Sequence, residues 1–254
     1  MKRAVTFLPA LVVASICLAM IAHGPIAQTG DYHAFADHSE LLGIPHAQDV
    51  LSNLGFAIVG WWGIFSLWPK RRHPAIDRSF LAYGLFLIGL ILTACGSSYY
   101  HLQPDDHRLL WDRLPIALAC AGLLAAVWAE TALAEGRAVI VTVLLALYSV
   151  ASVLWWYITE LDGHGDLRPY LLLQILPIFL IPLWQAIYRS ALPDRLWFGA
   201  ALLLYIVAKL VEANDYLLLA ATNNALSGHT LKHFFATAAA AAIVYRLTQR
   251  TRRS

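Results

Sequence analysis

Five residues in two distant parts of the chain have the types and spacing of a metal-dependent hydrolytic site. His229 and His233 are four residues apart, so on a helix both imidazoles project from one face, one turn apart. Ser97 and His101 have the same spacing, and Asp112 follows after a short polar break. A third histidine from a second helix completes a set of three ligands and leaves one position for water, as in catalytic zinc sites.

The histidine pair is also compatible with two ordinary hydrogen-bonded side chains, because spacing alone does not define a ligand. Ionisable residues inside membrane helices are costly, and their presence there indicates function. The metal hypothesis therefore requires that His101, Asp112, His229 and His233 lie on one side of the membrane.

The composition is that of a membrane protein. Of the 254 residues, 59% are hydrophobic and only 13% are charged, whereas about a quarter of the residues of a soluble domain are charged. The net charge of +2 gives no indication of nucleic-acid binding. Cys17, Cys95 and Cys120 all lie in apolar segments, which indicates neither a disulfide framework nor a thiolate metal site. We expect an all-α, polytopic membrane helix bundle.

Apolar segments of spanning length define the organisation of this bundle. The first, at about 4–22, has the form of a signal peptide or of a retained signal anchor, and we expect it to be retained. Residues 1–30 then form an N-terminal transmembrane helix and linker, and residues 31–254 form one domain with seven core transmembrane helices. The core segments are 49–68, 79–101, 112–134, 138–158, 169–188, 196–213 and 228–246.

The distribution of lysine and arginine predicts the orientation. The loops at 70–78, 137 and 189–195 and the C-terminal tail are basic, and the opposite loops are mostly acidic. Both termini are then cytoplasmic, and all the candidate site residues lie near the outer face. Arg108, Arg113 and Arg168 are the exceptions, because they lie on the outer side.

The order of these motifs resembles the alkaline ceramidase family. That family belongs to a superfamily of seven-helix membrane hydrolases, which also includes adiponectin and progestin receptor-type proteins. The resemblance rests on Ser-x-x-x-His at 97–101, on Asp112 within Asp-x-Leu-Pro, on His-x-x-x-His at 229–233 and on Val-x-Ser-Asn at 50–53. It covers about residues 31–246.

The resemblance implies that His101, His229 and His233 bind zinc and that Ser97 and Asp112 are catalytic. It also implies a calcium ion held by acidic residues near the first core helix, for which Asp31, Asp37, Glu40 and Asp49 are available. His46 stands where the family carries a glutamate. We expect Glu212 and Asp215 either to orient a ligating histidine or to form an ion pair and a helix end.

The expected function is that of a zinc-dependent amidohydrolase that cleaves the amide bond of ceramide or a related N-acyl lipid to a fatty acid and an amine. The alternative is a non-enzymatic, receptor-like seven-helix protein with a structural zinc site. The expected partner is a membrane lipid substrate, with no nucleic acid and no protein partner. A bacterial inner membrane, with the active site near the periplasmic face, suits the charge pattern.

Overall fold

The structure, a computed structural model, describes residues 5–134 and 136–252, so the first four residues of the predicted N-terminal segment lie outside it. Within these ranges the regular structure is helical apart from one hairpin, β1 (Glu40–Leu41) and β2 (Ile44–Pro45). The helices are α1 (Leu8–His23), α2 (Ala47–Ser52), α3 (Leu54–Leu67), α4 (Phe80–Leu102), α5 (Asp106–Thr131), α6 (Ala138–Leu161), α7 (Arg168–Ile187), α8 (Leu192–Glu212), α9 (Asp215–Ala221) and α10 (Gly228–Arg250).

Five stretches are long and apolar enough to cross a membrane. A sixth is present if α8 and α9, which meet at 83°, form one span. The prediction of an all-α protein with several membrane-competent helices is therefore confirmed, whereas length and composition do not establish a count of seven. Helix α10 is not among these stretches, because polar residues at both of its ends lower its mean hydropathy. The five stretches are Ala47–Lys70, Asp77–Leu102, Asp106–Thr131, Ala138–Leu161 and Arg168–Ile187.

Helices α4 and α5 approach each other closely along small residues, as membrane helices commonly do. A Cβ atom added to Gly96 would lie only 1.9 Å from the carbonyl oxygen of Trp111, and one added to Gly122 would lie 2.5 Å from the backbone nitrogen of Phe86. Because Gly96 and Trp111 directly precede Ser97 and Asp112, this contact brings the two predicted catalytic residues together.

The bundle has two polar ends. The end at which α4 finishes and α5, α7 and α10 begin carries His101 and Asp112, and we call it the histidine end. At the opposite end the buried Arg246 side chain donates to Glu130 Oε2 at 2.6 Å, Asp194 Oδ1 at 2.7 Å and the Tyr83 hydroxyl at 2.7 Å. These contacts fasten α10 to α5, α8 and α4.

The chain that follows α1 is attached to the bundle through the loop before α7. The backbone nitrogen of Leu167 donates to the Ile26 carbonyl at 2.8 Å, and Asp166 accepts from Trp155 Nε1 at 3.0 Å and from Arg168 Nε at 2.9 Å. Burial of the Asp166 carboxyl raises its pKa, but hydrogen bonds from Arg168 and Trp155 outweigh this effect and lower the pKa of Asp166 to about 2. The carboxylate is therefore charged at neutral pH.

Candidate metal centre

The three predicted zinc-binding histidines converge at the histidine end. His101 comes from the last turn of α4, and His229 and His233 come from the first two turns of α10. All three are buried, and one nitrogen from each lies within 4.8 Å of the others. His101 Nε2 and His229 Nε2 are 3.1 Å apart. Across the described residues, this is the one group of three or more histidine, cysteine or acidic side chains placed to hold a metal ion.

The donor set fits zinc. Nitrogen ligands about 2.0–2.1 Å from a tetrahedral zinc ion lie about 3.3 Å from one another, close to the separation of His101 and His229. Imidazole also suits zinc, whereas calcium and magnesium favour oxygen ligands. The Nδ1 atom of His101 is buried without a hydrogen-bond partner. The geometry thus provides three buried imidazole nitrogens that could hold one metal ion.

Ser52 orients His233. Its hydroxyl donates to the Asp49 carbonyl at 3.0 Å and lies 2.7 Å from His233 Nδ1. Since the single hydroxyl proton is used by that carbonyl, the Ser52 oxygen accepts from Nδ1–H, and this tautomer leaves Nε2 of His233 unprotonated. An unprotonated Nε2 is the form that binds a metal.

His229 is positioned through its backbone. Asp215, at the start of α9, accepts from the backbone nitrogen of His229 at 2.8 Å. A Cβ atom on Gly228 would lie 2.1 Å from the Val211 carbonyl oxygen, so only glycine allows α10 to begin this close to the end of α8. Glu212 Oε1 lies 4.0 Å from His229 Nδ1. Glu212 thus faces the imidazole, and Asp215 holds the main chain of His229.

Lys232 lies between the two histidines of α10 and points into the site. Its amino group donates to Glu212 Oε1 at 2.8 Å and lies 3.1 Å from His229 Nε2. The same nitrogen of His229 cannot serve both Lys232 and a metal. When a metal takes it, Lys232 keeps Glu212 as its partner. Lys209 also pairs with Glu212.

Ser97 and Asp112 lie beside the histidines and are both buried. The Ser97 side chain is within hydrogen-bonding reach of the Asp112 carboxylate. The carboxylate oxygen Oδ1 is buried without a partner. This oxygen of Asp112 is therefore available to a ligand.

A cavity of about 710 Å³ extends from these residues into the bundle. Its size falls in the range of small-molecule sites, about 300–1,000 Å³. Ser97, Asp112 and His233 line one end, and small or apolar side chains of α10 continue its wall. Those α10 side chains are Ala236, Ala239, Ala240 and Ile243.

Phe35 covers the histidines from the side of the N-terminal segment. Its ring centroid lies 4.6 Å from that of His101 and 4.4 Å from that of His229. The next residue is fixed, because the backbone nitrogen of Ala36 donates to Asp215 Oδ2 at 2.9 Å. The segment before α2 thus shields the metal site and shares an anchor with α10.

The four acidic residues that the family resemblance assigns to calcium differ in exposure. Asp31 and Glu40 are exposed, whereas Asp37 and Asp49 are buried. Asp37 Oδ2 accepts from the Asp49 backbone nitrogen at 3.0 Å, and Asp49 Oδ1 accepts from the Thr230 hydroxyl at 2.6 Å. The two buried acids therefore join the N-terminal segment to α2 and α2 to α10. His46 contacts the Asp37 carbonyl.

Three residues of the site were missed by sequence reasoning: Ser52, Lys232 and Phe35. The Ser-Asn pair at 52–53 is part of the family resemblance, but its spacing gives no sign of a contact with His233. Lys232 lies within the histidine motif itself, which was the one available signal. No sequence signal places Phe35 against the histidines.

Comparisons of the chain with protein-family models and with characterised proteins found no match.

Proposed function

We propose that the protein is a zinc-dependent integral membrane amidohydrolase that cleaves the amide bond of ceramide or a related N-acyl lipid. One observation carries the proposal: three buried histidines converge beside a serine and an aspartate at the end of a long apolar cavity. A structural zinc site is normally closed by a fourth protein ligand. Here the described residues provide three candidate protein ligands.

The residues around the histidines have separate roles in amide hydrolysis. Zinc, when bound, supplies polarisation of a carbonyl and lowers the pKa of a water molecule to about 7. Asp112 Oδ1 takes a proton from the attacking water and delivers it to the leaving amine as the carbon–nitrogen bond breaks. Ser97, whose side chain lies beside the Asp112 carboxylate, orients Asp112. Ser52 performs the same task for His233.

The cavity accommodates the acyl chain of the substrate. The lining side chains of α10 run from Lys232 to Ile243, and eleven residues of helix rise about 16 Å. Alanines on this face leave the space that larger side chains would fill. A lipid with its amide at the histidine end therefore has room for its chain along α10.

The finer topology belongs to the same proposal. Seven core helices and the helix α1 cross a bacterial inner membrane, both termini are cytoplasmic, and the histidine end faces the periplasm. The basic residues of the opposite end, among them Lys70, Arg246 and Arg250, support this orientation by the positive-inside rule.

The proposal is tested by fatty-acid release from N-acyl lipids by the purified, zinc-containing protein. We expect Asp112→Asn to retain zinc and to lose about 10²–10⁴-fold in rate, the range of general acid–base catalysis. Asp162→Asn is the matched control, because Asp162 is exposed in the loop after α6. An undiminished rate in Asp112→Asn would exclude that residue as the base.

The same experiment separates the enzyme from the receptor-like alternative. A protein that binds zinc stoichiometrically but releases no fatty acid from ceramides, N-acylethanolamines or N-acyl amino acids would support a structural zinc site. Release from any one class, abolished in Asp112→Asn, would support the enzyme.

A further inference from the structure

Arg113 is a buried cation beside the metal centre that the mechanism above does not use. It follows Asp112 on α5, is only 2% exposed and lines the cavity. An ionisable group inside a membrane helix is costly and indicates function. The groups around its side chain indicate this function.

Three aromatic rings from three different segments enclose the Arg113 guanidinium. Its central carbon lies 3.9 Å from the ring centroid of Trp156, 4.8 Å from that of Tyr32 and 5.5 Å from that of Tyr170. Such contacts stabilise a guanidinium through its faces. They leave the N–H groups, which lie in the plane of the guanidinium, free to donate.

Hydrogen bonds fix one ring of this cage directly and a second ring through the residue next to it. Trp156 Nε1 donates to Glu160 at 3.2 Å. His33, next to Tyr32, lies 2.8 Å from the Tyr100 hydroxyl and 3.0 Å from Asp106 Oδ1. The aromatic groups thus hold the guanidinium in place without using its donors.

The donors of Arg113 lack acceptors. Nε and Nη1 are both buried, and neither has a hydrogen-bond partner in the described part of the chain. The charge of Asp112 acts on Arg113, but Asp112 Oδ1 is itself without a partner. Burial of a cation with unused donors is unfavourable unless a partner is supplied.

The other arginines on this side of the bundle differ. Arg108 pairs with Asp105, and Arg168 pairs with Asp166 at 2.9 Å. Both acids lie within three residues of their arginine and pair with it, whereas Arg113 forms no ion pair with an acid in the described part of the chain, although Asp112 precedes it. Among these three exceptions to the positive-inside pattern, Arg113 is the one whose buried donor nitrogens lack a partner in the described part of the chain.

We propose that Arg113 binds an anionic group, a carboxylate or a phosphate, carried by the amine half of the N-acyl lipid substrate. The planar guanidinium matches the geometry of both anions through paired N–H donors. The acyl chain extends along α10 away from the histidine end, so the group near Arg113 belongs to the other side of the scissile amide. This inference rests on the proposed function and narrows its substrate class.

Binding of lipids that cannot be hydrolysed tests the inference independently of turnover. The probes are ketones in which a methylene replaces the amide nitrogen of N-palmitoylglycine, N-palmitoylphosphoethanolamine and N-palmitoylethanolamine. They carry a carboxylate, a phosphate and a neutral hydroxyl. We expect the zinc-containing protein in nanodiscs to bind one of the two anionic probes at least tenfold more tightly than the neutral probe.

Variants assign this preference to Arg113. Arg113→Gln should weaken binding of the preferred anionic probe about tenfold, equivalent to about 1.4 kcal/mol, and leave the neutral probe within twofold. Arg113→Lys should lose part of the preference, because an ammonium lacks the planar pair of donors. Arg168→Gln is the matched control and should keep the preference.

Two results would overturn the inference. One is equal affinity of the wild-type protein for all three probes, a comparison that needs no variant to fold. The other is an anionic preference that persists in Arg113→Gln. Lipid hydrolysis with equal probe affinities would refute the anion site alone, whereas anion-selective binding without hydrolysis of any N-acyl lipid would refute the enzyme alone.

Discussion

The two polar ends of the bundle satisfy their charges differently. At the opposite end, Arg246 is surrounded by Glu130, Asp194 and Tyr83, all within 2.7 Å of its nitrogens. At the histidine end, His101 Nδ1, Asp112 Oδ1 and two nitrogens of Arg113 are buried without partners. We call the hydrogen-bonded groups around Arg246 the closed network. We call the unpartnered buried groups at the histidine end the open set.

The difference separates stability from function. Buried polar groups are normally hydrogen-bonded, and buried groups that lack a partner need an explanation such as a catalytic role or an unbound ligand. The closed network holds four helices together and leaves nothing for a ligand to use. The open set lies around the histidines and the end of the cavity, where, under the proposed function, a metal and a lipid headgroup would supply the missing partners.

The largest expected difference is between the effects of substituting the two buried arginines on the free energy of unfolding. Arg246→Gln leaves Asp194 unpaired and should lower the free energy of unfolding by about 3–5 kcal/mol, the cost of breaking a buried ion pair. Arg113→Gln removes no hydrogen bond and should change stability much less. Thermal unfolding in detergent measures both, with the exposed Arg252→Gln as control. Equal losses for the two buried arginines would remove the distinction between the ends.

The contact between α4 and α5 gives the next largest effect. Gly96→Ala places a Cβ atom against the Trp111 carbonyl and should cost about 1–3 kcal/mol, as overpacking does. It should also reduce fatty-acid release, because it separates Ser97 from Asp112. Gly84→Ala on the same helix has open space around its Cβ and should be neutral or stabilising. Full activity in Gly96→Ala would show that this contact does not position the pair.

Ser52→Ala tests the orientation of His233. Loss of a partner that orients a ligating histidine typically weakens metal affinity about 10–100-fold, and competition with a chelator measures this. Ser98→Ala is the control, because Ser98 donates only to the Val50 carbonyl, at 3.1 Å. Unchanged zinc affinity in Ser52→Ala would mean that His233 is oriented without it.

Substitution of Asp166 should have the smallest effect on stability, and the contribution of this residue depends on pH. Its pKa of about 2 in the folded protein lies below the value of about 3.9 in an unfolded chain. Its contribution to stability is therefore complete above about pH 4 and is lost as the pH falls towards 2. Proteinase K cleavage between α1 and α2 should increase at pH 7 in Asp166→Asn, but not in Asp162→Asn. Equal cleavage in both variants would contradict the role of Asp166.

Much of the helical framework was predictable from residues alone. Long apolar segments separated by charged loops placed the core helices, because a bilayer requires about twenty apolar residues for each crossing. The convergence of His101 with His229 and His233 followed from helical spacing and from the order of the helix ends. Local periodicity and loop charge placed these residues on one side of the membrane, and the family resemblance assigned them to one metal ion.

The polar contacts between distant segments were not predictable. Ser52 and His233 are 181 residues apart, and no periodicity links them. The buried positions of Asp37 and Asp49 depend on hydrogen bonds between distant segments, so residue type alone did not predict that these two acids join the segments. From the sequence, Arg113 was only an exception to the positive-inside rule. Its aromatic cage was not predictable, because the three rings come from separate parts of the chain.

The zinc content of the purified protein tests the central claim most directly. Elemental analysis should find about one zinc ion per chain in the wild-type protein and almost none in His229→Ala/His233→Ala, which should still unfold cooperatively because the network around Arg246 is intact. A folded wild-type protein without zinc, or a double variant that retains it, would contradict the assignment of the histidine end as a zinc centre.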